Sequence, residues 1–260
     1  TLMRGPGDSA LRNLQATGSQ FTLTPDVPGS YDVAVIFGRG DGRCLGRVLQ
    51  FGVTYSQEFQ GRKAARSITD TDRRDFKYLE VLEAEQAWGV TRGRGVRVAV
   101  VDTGVNFNHP DLSQNIRVND HGVMMGRNFW KTSENPLDDH GHGTHVAGLA
   151  ASAVTGVAPE AEIIPVKALN AMGGGDLAAL VAGVRFAAQA GAQVINASFG
   201  SEAETFRTLS AVIQEAVGNG ALFVVAAGNG DSQGIGFNIE NRPVYPAGIS
   251  LPGSLTVAAT

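Results

Sequence analysis

The firmest constraint on how this chain can fold is Val96–Val101, an apolar run broken only by Arg97 and ended by Asp102-Thr103-Gly104. Such a run suits a strand buried on both faces of a parallel sheet, where neither side alternates toward water. Segments of the same kind return at Ile163–Val166, Val194–Ile195, Leu222–Ala226 and Leu255–Ala258. Around them lie stretches with helical spacing: Leu79–Trp88, Val146–Ala153, Leu177–Ala190 and Phe206–Val217. Asp176 stands where an N-cap belongs, and Gly218 and Gly220 close the last of these helices. Strands alternating with helices predict an α/β domain over residues 76–260, a mostly parallel sheet with helices on both faces. Leu255–Ala258 is expected at or near the centre of that sheet.

Residues 1–75 read differently. Thr1–Pro28 is polar and punctuated by glycine and proline. Tyr31–Phe37 and Val48–Tyr55 are β-like runs around the glycine-rich turn Gly38–Gly46, so a hairpin is predicted in a small β-containing N-terminal region. Gln57–Phe76 is charged and reads as a linker. Arg39-Gly40-Asp41 spells an adhesion tripeptide, but a glycine turn in a hairpin accounts for it without a receptor. At 260 residues with 43% hydrophobic content, the chain can bury one large core, or one domain and a small appendage. Its 21 basic and 25 acidic residues, net −4, point to neither nucleic acid nor an anionic membrane as partner. No apolar run approaches the roughly 20 residues of a membrane-spanning helix. Cys44 is the single cysteine, so no internal disulfide forms. The chain starts at Thr1, as a processed or trimmed product would.

In an open α/β sheet, functional groups gather at the carboxyl ends of strands. Three polar clusters sit where strands are predicted to end. Asp102 directly follows an apolar strand, so its carboxylate is partly buried and needs a partner. Taken alone it reads as a turn or cap. The second cluster is Asp138-Asp139-His140-Gly141-His142-Gly143-Thr144-His145. His142 enters the first turn of an apolar helix, where one ring nitrogen can face outward while a carboxylate holds the other. A metal site is the rival reading of these acids and histidines. The HExxH pattern is absent, however, and His142 and His145 are three apart, not four, so no metal ligand is assigned. In the third cluster, Asn229 lies between Gly228 and Gly230 after a strand. That is ordinarily a turn, and it is also a suitable amide donor for a developing oxyanion.

Together, and in this order, the clusters resemble the subtilisin-like serine proteases. Asp102-Thr103-Gly104-Val105 with His109-Pro110-Asp111-Leu112 is similar to the family's aspartate motif, and His142-Gly143-Thr144-His145-Val146-Ala147-Gly148 to its histidine motif. Gly156-Val157-Ala158-Pro159, Val194–Gly200 and Ala226–Asn229 follow at family-like places, so the resemblance covers about residues 77–260. It implies a peptidase in which Asp102 orients His142, His142 acts as general base and then acid, and Asn229 donates to the oxyanion. His145 is then structural. Leu169–Ala178, with Gly173, Gly174 and Gly175, and the segment Ser198, Phe199 and Gly200 match the two strips that flank an extended polypeptide substrate. Ala227 and Gly228 line the same cleft. The N-terminal region stands where relatives carry a prodomain, with an unrelated accessory region as the alternative. Relatives are mostly secreted, which sets the expected compartment.

Three departures follow. The family serine lies in a Gly-Thr-Ser motif roughly 65 residues after the oxyanion asparagine. Here 31 residues follow Asn229, and no Gly-Thr-Ser occurs. The expectation is therefore a serine endopeptidase whose nucleophile lies outside this chain, which alone is inactive; its own C-terminal continuation as a separate chain is then a partner. The alternative is a non-catalytic pseudoprotease that holds extended peptides. A nucleotide-binding protein stands further off, because Gly173-Gly174-Gly175 follows no fingerprint order. Second, Ala150–Gly156 is short, so the structural calcium loop that many relatives insert there is expected to be missing, and no cofactor is predicted. Third, Gly230 replaces an acid of some relatives, and Phe199 suggests an apolar wall. Both imply apolar side chains at P1.

Overall fold

The computed structural model describes residues 2–4, 29–38, 44–53, 59, 61–62, 76–130, 135–230, 236, 238 and 241–258. The chain divides into two compact units, Thr1–Gln57 and Glu58–Thr260. In the first, strands β1 (Leu2–Arg4), β2 (Gly29–Gly38) and β3 (Cys44–Val53) form an antiparallel sheet in the order β1-β2-β3. The predicted hairpin is β2–β3, with Gly38 opposite Cys44 and Gly29 opposite Val53. β1 comes from Thr1–Pro28, the stretch read as polar and punctuated by glycine and proline. Arg39-Gly40-Asp41 lies outside the described residues.

The second unit is built on short helices α1 (Lys77–Val81) and α2 (Ala84–Trp88), strands β4 (Arg97–Asp102) and β5 (Arg127–Asn128), helix α3 (His142–Ala151), β6 (Glu162–Lys167), α4 (Leu177–Gln189), β7 (Val194–Ala197), α5 (Leu209–Gly218), β8 (Leu222–Ala226) and β9 (Ser254–Val257). The six strands are all parallel, in the order β5-β6-β4-β7-β8-β9. Leu79–Trp88, read as one helix, is two, because Glu83 takes a left-handed conformation at φ 51° between them. Within Glu58–Thr260, Phe59 stacks edge-on against Phe107, and Arg62 donates to the Ile116 carbonyl and pairs with Glu162. These residues come from the stretch read as linker.

β4 shows why its sequence had to be apolar from Val98 to Val101. Ala99 and Val101 turn to one face and join the core cluster with Leu180, Val184 and Ala187 of α4, to which the buried side of α5 also belongs. Val98 and Val100 turn to the other, against Ala147 and Ala151 of α3. Helices therefore cover both faces. Asp176 caps α4 as expected, its carboxylate accepting from the Ala179 N–H at 2.7 Å. β9 departs from expectation. Among the described residues it pairs with β8 alone and forms the sheet edge, where Leu255 and Val257 are about half exposed.

β6 and β7 flank β4, and the chain leaves β4 toward the β5 edge of the sheet but leaves β7 toward the β9 edge. The carboxyl end of β4 is thus the crevice where the strand order reverses, the usual place for a site in an open α/β sheet.

Candidate active site

Asp102 is the last residue of β4 and is fully buried. His142 is the first residue of α3, and its ring Nδ1 lies 2.7 Å from Asp102 Oδ1. The same oxygen accepts from the Thr103 N–H at 2.7 Å. The His142 side chain is 41% exposed, so its remaining nitrogen, Nε2, is the one available to a substrate. Burial pushes the Asp102 carboxyl above the usual carboxylate range, and the hydrogen bonds from His142 and Thr103 oppose that rise.

Two glycines let the pair meet. Gly104 has φ 108°, and a Cβ there would lie 2.5 Å from the Pro136 carbonyl oxygen. Gly143 packs helix α3 so closely on the aspartate loop that a Cβ would stand 2.1 Å from the Gly104 carbonyl oxygen and 3.1 Å from Asp102 Cβ. No other residue gives both conformational freedom and that approach.

A second layer of polar groups fixes the two loops, and the sequence reading gave it no role. Thr103 Oγ1 donates to Asp138 Oδ1 at 2.8 Å and accepts from the Gly143 N–H at 2.9 Å. Asp138 also accepts from the backbone N–H groups of His140, Gly141 and Thr144 and from the Thr144 hydroxyl. It thereby satisfies donors of the first turn of α3 that have no partner inside the helix. Burial alone would raise the Asp138 carboxyl, but the bonds from Thr144, Gly141 and His140 outweigh it and hold the group below the usual range. Lys167, at the end of β6 in register with Asp102, is also buried and donates to Thr103 O, Asp139 Oδ1 and Leu169 O. The one signal the sequence offered for it was a charge closing an otherwise apolar strand.

The remaining expected residues stand along the same sheet edge. Asn229 is exposed just past β8, two strands from β4, which is about 10 Å in a sheet of ordinary spacing. Ala227 continues the β8 ladder, its N–H donating to Val257 O. Gly173 lies beside the His140 ring in a tight turn closed by Asn170, whose side chain accepts from the Met172 and Gly174 N–H groups. Gly174 spends its carbonyl on the Asn170 N–H, and a Cβ on Gly175 would strike Leu169. Ser198 Oγ accepts from Asn196 at 2.8 Å, and Phe199 packs against the larger core. Val244 lies against both Gly200 and Gly228, so the Ser198–Gly200 segment and the loop after β8 meet through it. His145 lines a separate cavity of about 370 Å³ with Tyr78, His109 and Leu149, away from Asp102.

The profile of the Subtilase family matches residues 93–260. The chain belongs to the subtilase family. Among curated relatives of this subtilase domain, a thermophilic serine proteinase of Bacillus sp. (strain AK1) is 36% identical over 188 residues, covering 69% of this chain and 45% of the relative. Thermitase of Thermoactinomyces vulgaris is 35% identical over 185 residues, 69% and 60% of the two chains. An intracellular serine protease of Paenibacillus polymyxa is 38% identical over 177 residues, 65% and 51%. The subtilase chain thus spans about half the length of the curated relatives it matches. The crystal structure of a cold adapted subtilisin-like serine proteinase superposes with a TM-score of 0.51 at 31% identity, covering 64% of this chain and 55% of that one.

Proposed function

We propose that this chain carries the acid–base half of a serine endopeptidase, with the nucleophilic serine outside its 260 residues. The observation that carries the reading is the 2.7 Å contact between buried Asp102 and Nδ1 of a partly exposed His142 side chain. Asp102 holds Nδ1, fixes the tautomer and stabilises the imidazolium. His142 Nε2 takes the proton of the serine hydroxyl as that oxygen attacks the scissile carbonyl, then returns it to the leaving amine. The Asn229 side-chain amide donates to the oxyanion of the tetrahedral intermediate. An extended polypeptide lies between the Gly173–Gly175 turn and Ser198–Gly200, adding main-chain hydrogen bonds as an extra strand would. With Gly230 in place of an acid, P1 side chains are apolar. Under the same reading the mature protein works outside the cell. The name of the relative from Paenibacillus polymyxa puts that protein inside it, and fractionation of the source organism decides between the two.

The test is labelling with a serine-directed phosphonate. The full-length protein should label and turn over peptides with an acyl-enzyme burst, while the 260-residue chain does neither. A full-length protein that binds extended peptides without turnover, with that binding unaffected by loss of His142, would make it a pseudoprotease.

A further inference from the structure

Lys167 is the single lysine or arginine that is fully buried among the described residues, and the reaction outlined above gives it no task. A buried ammonium is tolerated where its protons are matched, and Nζ here meets three oxygens. Two of them belong to different loops. Thr103 O follows the residue that carries the acid, and the Asp139 carboxylate, 2.6 Å away, stands three residues before His142. The third, Leu169 O at 2.9 Å, begins the strip that leads to Gly173. Of the three aspartates in these loops, Asp139 is the one with which Lys167 pairs directly.

We propose that Lys167 is a positioning residue for the Asp102–His142 pair, holding the end of β4 and the start of α3 at hydrogen-bonding distance through its bridge from Thr103 to Asp139. The proposal rests on the peptidase reading for its consequence in catalysis, but not for its geometry. If the bridge only stabilised the fold, removing it would lower the unfolding temperature and leave the pair unchanged below that temperature. If it positions the pair, the Asp102–His142 hydrogen bond changes in protein that is still folded.

The experiment compares Lys167→Met and Asp139→Asn with the parent protein. Two readouts are taken well below the unfolding temperature: the low-field proton NMR resonance of the His142 Nδ1–H, and kcat and KM of the full-length protein on a peptide ester. Both variants should weaken or shift the resonance. They should also lower kcat about 100-fold, the scale of an ångström-sized misplacement, with KM within about twofold. If Lys167→Met does not fold, Asp139→Asn decides, because that carboxylate is partly exposed and the Lys167 ammonium keeps its two carbonyl acceptors when the charge is removed. Folded variants with an unchanged resonance and unchanged kcat overturn the proposal and leave the peptidase reading intact. A parent protein with no turnover, whose resonance nevertheless moves in both variants, would remove the peptidase reading and leave the positioning role in place.

Discussion

At the residue scale, two carboxylates at the end of β4 and the start of α3 are shifted in opposite directions, and they should leave opposite marks on stability. Asp138 lies below its ordinary value in the folded state, so it contributes stability above the unfolded carboxylate pKa of about 3.9, and that contribution is lost as pH falls through the lower folded value. Asp102 lies above its ordinary value, so its contribution is present below about pH 3.9 and is lost as pH rises through the folded value. Chemical denaturation followed against pH should therefore show Asp138→Asn losing stability at neutral pH and flattening the acid limb. Asp102→Asn should lose little stability at neutral pH, or gain some. An Asp138→Asn profile parallel to the parent's would contradict this. On the proposed peptidase reading, His142→Ala in the full-length protein should cut kcat by several orders of magnitude, since base and nucleophile would act as a unit. Asn229→Ala should cost less, about 3–4 kcal/mol of transition-state stabilisation, with KM little changed. Steady-state kinetics on one peptide substrate separate the two roles.

At the scale of elements, β4 and α3 meet through Gly143. Gly143→Ala would push a methyl group into the Gly104 carbonyl and against Asp102, where rigid backbone cannot give way. The expected cost is about 1–3 kcal/mol of stability, and the Asp102–His142 contact should lengthen. Thermal unfolding with the His142 Nδ1–H resonance as companion measurement checks both, and a variant as stable as the parent would refute the packing argument. The elements of this region were legible because their signals are local. Val98–Val101 is buried on both faces, Asp176 caps a helix next to it in sequence, and the His142–Ala151 helix carries small residues on its sheet side. What failed to show had no local signal. The break at Glu83 depends on a backbone conformation, and β5 is two residues long. Lys167, Thr103 and Asp138 matter through contacts that reach across 28 to 64 residues. Asp102 and His142 were legible as separate clusters; their contact, across 40 residues, was an expectation of the resemblance.

At the scale of the whole molecule, the two units raise different questions, and the larger one carries a testable surface. β8 and β9 present Leu222, Leu255 and Val257 on the face that α3 covers further along the sheet, and all three are at least two-fifths exposed. Apolar side chains exposed in a cluster favour association. Leu255→Lys combined with Val257→Thr should reduce self-association of the 260-residue chain in sedimentation velocity, with unfolding free energy shifted by no more than about 0.5 kcal/mol, as for surface positions. A loss of several kcal/mol would mean that these side chains are part of the core.

The strand order has a bearing on synthesis as well. From β4 outward through β7, β8 and β9, sequence order and spatial order coincide. On this side each strand can be laid against a neighbour that has already left the ribosome, so the sheet can grow in the direction of translation without waiting for distant sequence. The loop after β8 that carries Asn229 then arrives later than Asp102 and His142, and beyond β4 on this side the edge of the growing sheet is its newest strand.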